Sequence, residues 1–405
     1  MPVPSGRHFL QIPGPTNVPE RVLRAMARPT IDHRGAEFGR LAVEVLTGLK
    51  HVFKTSGHIV IFPASGTGAW EAALVNTLSA GDRVLMFETG YFAGLWWQMA
   101  EKFGLDVQWI PGDWRNGVNP DVVEAQLSQD TSHQIKGVMV VHNETSTGVT
   151  SRVAAVRKAM DRAGHPALLF VDTISSLASI EYRHDEWGVD VTVGGSQKGL
   201  MLPPGLSFNA ISEKALAASK SAGLLKSYWD WQPMLATNNS GFFPYTPATN
   251  LLYGLRESLQ MLEEEGLENV FARHDRNAGA TRRAVEAWGL EVLCLNSTEY
   301  SSSVTAVLLP AGYNADDLRK VILDQFNMSL GNGLGKLQGK VFRIGHLGDF
   351  NDLMLAGTLS GVEMGLALAH VPHTKGGVAA ALDYLTQAQT SQNLESARVP
   401  NLARV

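Results

Sequence analysis

The sequence predicts an α/β fold: a mostly parallel sheet held between layers of helices, followed by a smaller C-terminal α/β domain. The first observation is a set of short apolar runs without polar alternation: Ile59-Val60-Ile61-Phe62, Arg83-Val84-Leu85-Met86-Phe87, Gly137-Val138-Met139-Val140-Val141 and Leu168-Leu169-Phe170-Val171-Asp172. A strand with one solvated face alternates, so continuous runs indicate strands buried on both faces. The second is that helical stretches, such as 70–78 and 153–163, separate these runs. Alternation of strand and helix is the pattern that builds parallel sheets. The third is a change after a long helix, 250–265, which closes at Gly266: beyond it the strands, 304–309 and 340–344, are fewer and farther apart.

These observations divide the chain into an N-terminal arm, 1–22, a large domain, 23–265, and a small domain, 266–405. The arm contains Ile12-Pro13-Gly14-Pro15-Thr16-Asn17-Val18-Pro19, whose Pro and Gly content reads as extended rather than packed chain. Pro19 then opens a helix over 20–27, and the polar tail from Gln387 onward is expected to fray.

Composition narrows the function classes. Apolar residues make up 44% and charged residues 18%, which excludes a largely disordered chain. A net charge of -5 leaves no basic footprint for nucleic acid. No segment reaches the roughly 20 apolar residues of a membrane span. The single cysteine, Cys294, cannot form an intramolecular disulfide, and its apolar surroundings make it a small core residue. Residues 1–10 lack a signal-peptide stretch and Ala403-Arg404-Val405 is no peroxisomal address, so the cytoplasm is the expected compartment. No metal site is expected.

In an open parallel sheet, ligands bind beyond the carboxyl ends of the strands. The first run ends in Pro63-Ala64-Ser65-Gly66-Thr67-Gly68 and opens a helix. Small residues there let backbone N–H groups face an anion where the helix dipole also favours negative charge. Glu71 stands where a dinucleotide fingerprint has its third glycine, so a phosphate monoester fits best; a plain capped turn is equally compatible. The fourth run ends in Asp172, a carboxylate that needs a cationic partner if buried, or else serves as a helix-capping aspartate. Next, Val191-Thr192-Val193-Gly194-Gly195-Ser196-Gln197-Lys198 places a lysine after a short strand in glycine-rich, apolar surroundings. Burial lowers a lysine pKa and frees a neutral amine for bonding to an aldehyde. Together the three strand ends provide what pyridoxal phosphate needs: Ser65 to Gly68 for its phosphate, Asp172 for the protonated pyridine nitrogen, and Lys198 for the aldehyde.

The motifs His142-Asn143-Glu144-Thr145-Ser146-Thr147-Gly148, Val171-Asp172-Thr173-Ile174-Ser175-Ser176-Leu177 and Gly195-Ser196-Gln197-Lys198 resemble those of the class V pyridoxal-phosphate aminotransferases, in particular the serine–glyoxylate and alanine–glyoxylate enzymes. The similarity extends from Pro13-Gly14-Pro15-Thr16-Asn17 to Phe342-Arg343-Ile344-Gly345. It implies the fold type I architecture of pyridoxal-phosphate transferases and a cofactor site built from Ser65, Gly66, Thr67, Phe92, Thr145, Asp172, Gln197, Lys198 and Thr246. Thr145 would touch the ring oxygen and Gln197 the phosphate, while Thr246 would reach the phosphate of a neighbouring subunit. A homodimer with shared active sites, or a tetramer, is therefore expected. Two positions depart from the family: Phe92 stands where a tryptophan commonly stacks on the ring, and Phe243 where a tyrosine accompanies the inter-subunit threonine.

Arg343 lies at the end of the small-domain strand 340–344, beside Gly345, and a planar guanidinium grips a carboxylate through two parallel hydrogen bonds. Both substrates of a transaminase carry a carboxylate on the reacting carbon, so one arginine serves both half-reactions; a surface ion pair is the alternative. Asp32-His33-Arg34-Gly35 reads equally as part of the substrate entrance or as a solvated turn. The aromatic stretch Ser227-Tyr228-Trp229-Asp230-Trp231-Gln232 walls a pocket or packs between subunits. The expected reaction is transfer of the amino group of serine to glyoxylate, giving hydroxypyruvate and glycine. Alanine–glyoxylate exchange is the runner-up. A lyase on the same fold fits less well, since a desulfurase needs a mobile nucleophilic cysteine and usually a histidine before the cofactor lysine, where Gln197 stands.

Overall fold

A computed structural model of the chain describes residues 6–398, with side chains through residue 387. Its larger sheet has seven strands in the order His58–Phe62, Ser207–Ile211, Val191–Gly195, Leu168–Asp172, Ile135–Val141, Arg83–Phe87 and Asp106–Ile110. Ser207–Ile211 is antiparallel to both neighbours and every other pairing is parallel. The apolar runs are continuous because both faces are covered. Leu85, Val138 and Leu169 enter one helix-backed core, and Val84, Met139 and Phe170 enter the other.

Two strands do not stand out in the sequence, for different reasons. Asp106–Ile110 is an edge strand, half-exposed along most of its length, so it tolerates Asp106 and Gln108. Ser207–Ile211 is fully buried but carries Asn209 at its centre. That amide is satisfied on both sides: it donates to the Ala69 carbonyl at 3.1 Å and accepts from Trp231 Nε1 at 3.2 Å.

The second sheet has the order Phe9–Gln11, Met328–Asn332, Val341–Gly345, Val304–Leu308 and Glu291–Val292. The arm is extended as expected, but it is also packed, which its Pro and Gly content conceals. Phe9–Gln11 adds a parallel strand beside Met328–Leu330. Gln11 and Thr16 are buried, and the Thr16 N–H donates to the Gln197 carbonyl. At the other end, the helix Gly377–Arg398, anchored by buried Ala381 and Leu385, runs into the tail expected to fray. Once a helix is nucleated, each further residue adds a bond for little cost. Residues 1–5 and 399–405, with them Ala403-Arg404-Val405, lie outside the described residues. No helix among the described residues is long and apolar enough to cross a membrane. Cys294 is buried as expected, and burial pushes its thiol up to about 11, which keeps it unreactive near neutral pH.

Four buried imidazoles shape the acid stability. Burial draws His142 and His184 from 6.5 down to about 4, and His274 and His346 down to about 3. Their folded values lie below their unfolded value, so the stability they carry is complete above pH 6.5 and is lost as pH falls from 6.5 toward 4. Asp172 and Glu144, whose carboxyls are raised by burial, work in the opposite direction. Four lowered histidines outweigh two raised carboxyls, so unfolding takes up protons on balance near pH 5 and stability should fall as the pH drops from 7 toward 5. Denaturant titrations between pH 5 and 7 check this; a flat stability over that range would contradict it.

Candidate active site

The carboxyl ends of the parallel strands open on one cavity of about 210 Å³. Ser65, Gly66 and Thr67 follow the strand His58–Phe62, and Gln197 and Lys198 follow Val191–Gly195. Asp172 closes Leu168–Asp172, Thr145 follows Ile135–Val141, and Phe92 follows Arg83–Phe87. Eight of the ten expected site residues therefore line a single cavity, gathered from five strand ends. A larger cleft of about 580 Å³ under the arm holds none of them.

At one end of the cavity the helix Gly66–Thr77 begins, with Ser65 as its N-cap. N–H groups in the first turn of a helix have no partner within the helix, so they are available to an anion. Ser65 and Thr67 are exposed there, which leaves their hydroxyls accessible. The turn is tightly backed: a Cβ on Gly66 would lie 2.6 Å from Ile174 Cγ1, and one on Gly68 would lie 2.7 Å from Trp229 Cη2. Gln197 has a buried amide oxygen with no hydrogen-bond partner among the described residues, a group that a ligand would satisfy.

Asp172 is 4% exposed and accepts two N–H donors, from the Ile174 backbone on Oδ1 at 2.6 Å and from Trp70 Nε1 on Oδ2 at 3.0 Å. Burial still pushes its carboxyl from 3.8 up to about 7, and the nearby Glu144 charge adds to the rise. Across the cavity Lys198 is 7% exposed, and its Nζ donates to the Pro13 carbonyl of the arm. Burial, reinforced by the charge of Arg343, draws this amine from 10.5 down to about 7. Gly14 makes the approach possible, since its φ is +100° and a Cβ there would fall 2.7 Å from Lys198 Nζ.

Arg343 is buried behind this wall rather than lining it. Its Nε donates to the Asn332 carbonyl and its Nη1 to the Thr145 carbonyl, both at 2.8 Å, which fixes the guanidinium plane beside Thr145. Burial lowers its pKa to about 10, so it stays charged at neutral pH.

Thr246 is exposed on the segment Pro244-Tyr245-Thr246-Pro247 and does not line the cavity of its own chain. Phe243 packs edge-on against Phe38, at 5.9 Å between ring centroids, so this ring serves the core. In the aromatic stretch, Trp231 is core, Trp229 meets Phe62 edge-on and backs Gly68, and Tyr228 stacks on Tyr245 at 4.3 Å. The Asp32–Gly35 loop forms a turn in which Asp32 Oδ1 accepts the Arg34 N–H and Gly35 caps the helix Ala36–Phe53; it does not line the cavity.

Two residues that organise the site were given no role by the sequence reading. One is Trp70. The other is Glu144, fully buried, whose carboxylate accepts the N–H groups of Phe92 and Ala93 at the start of the helix Tyr91–Lys102. It also accepts the Ser146 hydroxyl at 2.6 Å, and Ser146 Oγ in turn accepts the Tyr91 N–H. This capping pair seats Phe92 at the cavity. A Cβ on Gly90 would lie 2.6 Å from Ser146 Oγ, which explains the glycine. The available sequence signals were spacing for Trp70, one helical turn after Gly66, and an acidic residue among small hydroxyl residues for Glu144.

Comparison with known proteins points to the same chemistry. Residues 8–335 match the family described as aminotransferase class-V. A serine–glyoxylate aminotransferase of Methylorubrum extorquens is 51% identical over 94% of this chain and 97% of its own length. An L-aspartate–glyoxylate aminotransferase of Paracoccus denitrificans is 45% identical over 95% of this chain and 98% of its own. The solved structure of pyridoxamine–pyruvate aminotransferase from Mesorhizobium loti superposes with a TM-score of 0.88 at 26% identity, covering 96% of this chain and 100% of that one. Shared identity over nearly the full length, on the same architecture, leaves one conclusion: the chain belongs to the class-V aminotransferase family.

Proposed function

We propose that this chain is a pyridoxal-phosphate-dependent transaminase that passes the amino group of serine to glyoxylate, yielding hydroxypyruvate and glycine. The observation that carries the reading is a buried amine drawn down to about 7 and a buried carboxyl pushed up to about 7 in one small cavity. Shifted titratable groups that share a cavity with an anion-binding helix start are the usual mark of a functional site. Pyridoxal phosphate fits this site: the N–H groups of the helix start at Ser65–Thr67 and the Gln197 side-chain NH2 would donate to its phosphate, and Asp172 would accept from its ring nitrogen.

When bound, the cofactor supplies an aldehyde that captures amines and a protonated ring that takes up the electron pair left by a departing proton. Lys198 holds it through Nζ and, at its lowered pKa, is a neutral base near pH 7 that lifts the α-proton of the amino acid and delivers it again. The Pro13 carbonyl keeps that amine against the arm. Asp172 would accept a hydrogen bond from the protonated ring nitrogen and keep it protonated, while Thr145 and Phe92 would hold the ring by a hydroxyl contact and by stacking. Arg343 does not line the cavity itself; held just behind its wall by the Thr145 and Asn332 carbonyls, it would reach the carboxylate common to both substrates once they enter. Arg343→Lys should raise KM for serine and for glyoxylate by about ten- to a hundredfold while changing kcat less. Unchanged KM for both would remove Arg343 from the substrate site.

Serine is favoured as donor by the 51% identical relative, and the 45% identical relative named for aspartate makes aspartate a competing donor beside alanine. Steady-state comparison of serine, alanine and aspartate as donors to glyoxylate decides, with the highest kcat/KM expected for serine. A tenfold advantage for either competitor would overturn the serine assignment and leave transamination standing.

The same reading includes an arm, 1–22, a cofactor-binding domain, 23–265, and a small domain, 266–405, in a cytoplasmic homodimer. The break at Gly266, where φ is 81° between the helices Thr249–Glu265 and Leu267–Ala287, supports that division. Thr246, exposed and outside its own chain's cavity, completes the phosphate site of the partner subunit. Thr246→Ala should weaken retention of the cofactor several-fold and leave the chain's fold intact. A fully active monomer in sedimentation and activity assays would count against the shared site.

A further inference from the structure

Asp172 sits at the carboxyl end of a fully buried strand, and among the described residues the only side chain that donates to it is Trp70. Trp70 lies one turn after Gly66 on the helix Gly66–Thr77, so the helix whose start forms the anion cradle also carries this indole. One rigid element therefore sets the spacing between the cradle and the Asp172 carboxylate. The indole is 2% exposed and lines the cavity, and it is stacked on Trp96 with centroids 5.7 Å apart and planes at 13°. Trp96 is completely buried, and its own N–H has no partner among the described residues. An unpaired buried N–H is costly, so Trp96 is retained there for its ring rather than for its donor.

We propose that Trp70 is a positioning residue for the cofactor: its N–H, locked in place by the Trp96 ring, holds Asp172 Oδ2 so that the carboxylate keeps its remaining lone pairs toward the cavity and the ring nitrogen. With Ile174 N–H on Oδ1 and Trp70 N–H on Oδ2, each oxygen retains one acceptor site. Both donors also favour the ionised carboxylate against the burial that opposes it. Without the indole, Asp172 can rotate about its side-chain bond and can take up a proton of its own. A core aromatic with no such role would perturb packing alone and would not distinguish one ring atom of a ligand from another.

The inference rests on the pyridoxal-phosphate reading, and the test separates the two. Apoprotein is titrated with pyridoxal phosphate and with its deaza analogue, in which a C–H replaces the ring nitrogen; both carry the same aldehyde and phosphate. Wild-type protein should prefer the natural cofactor. Trp70→Phe should lose about tenfold of that preference, the weight of a hydrogen bond to a charged group. Trp96→Phe, which keeps a ring and loses an N–H that has no partner among the described residues, should keep the preference. Equal weakening of both ligands in Trp70→Phe, or an intact preference, overturns the proposal. If wild-type protein binds neither ligand, the cofactor reading falls and the proposal with it. Should Trp70→Phe not fold, the Trp70 indole N–H resonance of 15N-labelled wild-type protein replaces it: a different shift with each ligand supports the proposal, and identical shifts overturn it.

Discussion

Lys198→Ala is expected to give a colourless protein with no measurable transamination, even with excess pyridoxal phosphate. The amine is the one buried lysine group of the cavity, and its pKa near 7 makes about half of it neutral at neutral pH. An ordinary lysine near 10.5 would offer less than one part in a thousand. Alanine removes both the bond that gives the bound cofactor its yellow colour and the base that moves the α-proton. Positioned proton transfer alone is worth about 10²–10⁴-fold, and loss of covalent anchoring adds to it. Absorbance spectra and turnover with serine and glyoxylate measure the two effects separately. Colour retained with activity lost would limit Lys198 to proton transfer; retention of both would exclude it from the site.

Asp172→Asn should lower kcat by about 10²–10³-fold while leaving KM for the substrate carboxylates nearly unchanged, because Arg343 is untouched. The magnitude is that of removing one partner from a buried charge pair, here the anion opposite a protonated ring nitrogen. The apoprotein should behave differently. The folded chain holds the Asp172 carboxyl near 7 against 3.8 when unfolded, so its contribution to stability falls as pH rises from 3.8 toward 7 and remains lost above that. A neutral amide at this position relieves the cost, and the cofactor-free variant should melt higher than wild type at pH 8. Higher stability with lower turnover marks a residue kept for chemistry rather than for the fold. A variant that melted lower and kept its kcat would make Asp172 a structural aspartate.

The parts of this site that follow local rules were legible in the residues alone. Continuous apolar runs identified strands buried on both faces, since burial of both faces removes the polar alternation. Glycine and small hydroxyl residues after one run, Asp172 at the end of another and Lys198 after a third marked the carboxyl edge of the sheet as the place for chemistry. Only the tertiary structure decided which groups meet. Trp70 reaches Asp172 from 102 residues away, Lys198 reaches the Pro13 carbonyl across 185, and the carbonyl that orients Arg343 lies 198 residues earlier, at Thr145. Helical and strand periodicity report which way a side chain faces, but not which strand lies beside it. Those partnerships depend on strand order and on where the arm threads, and both are set by packing of the whole chain rather than by any local run of residues.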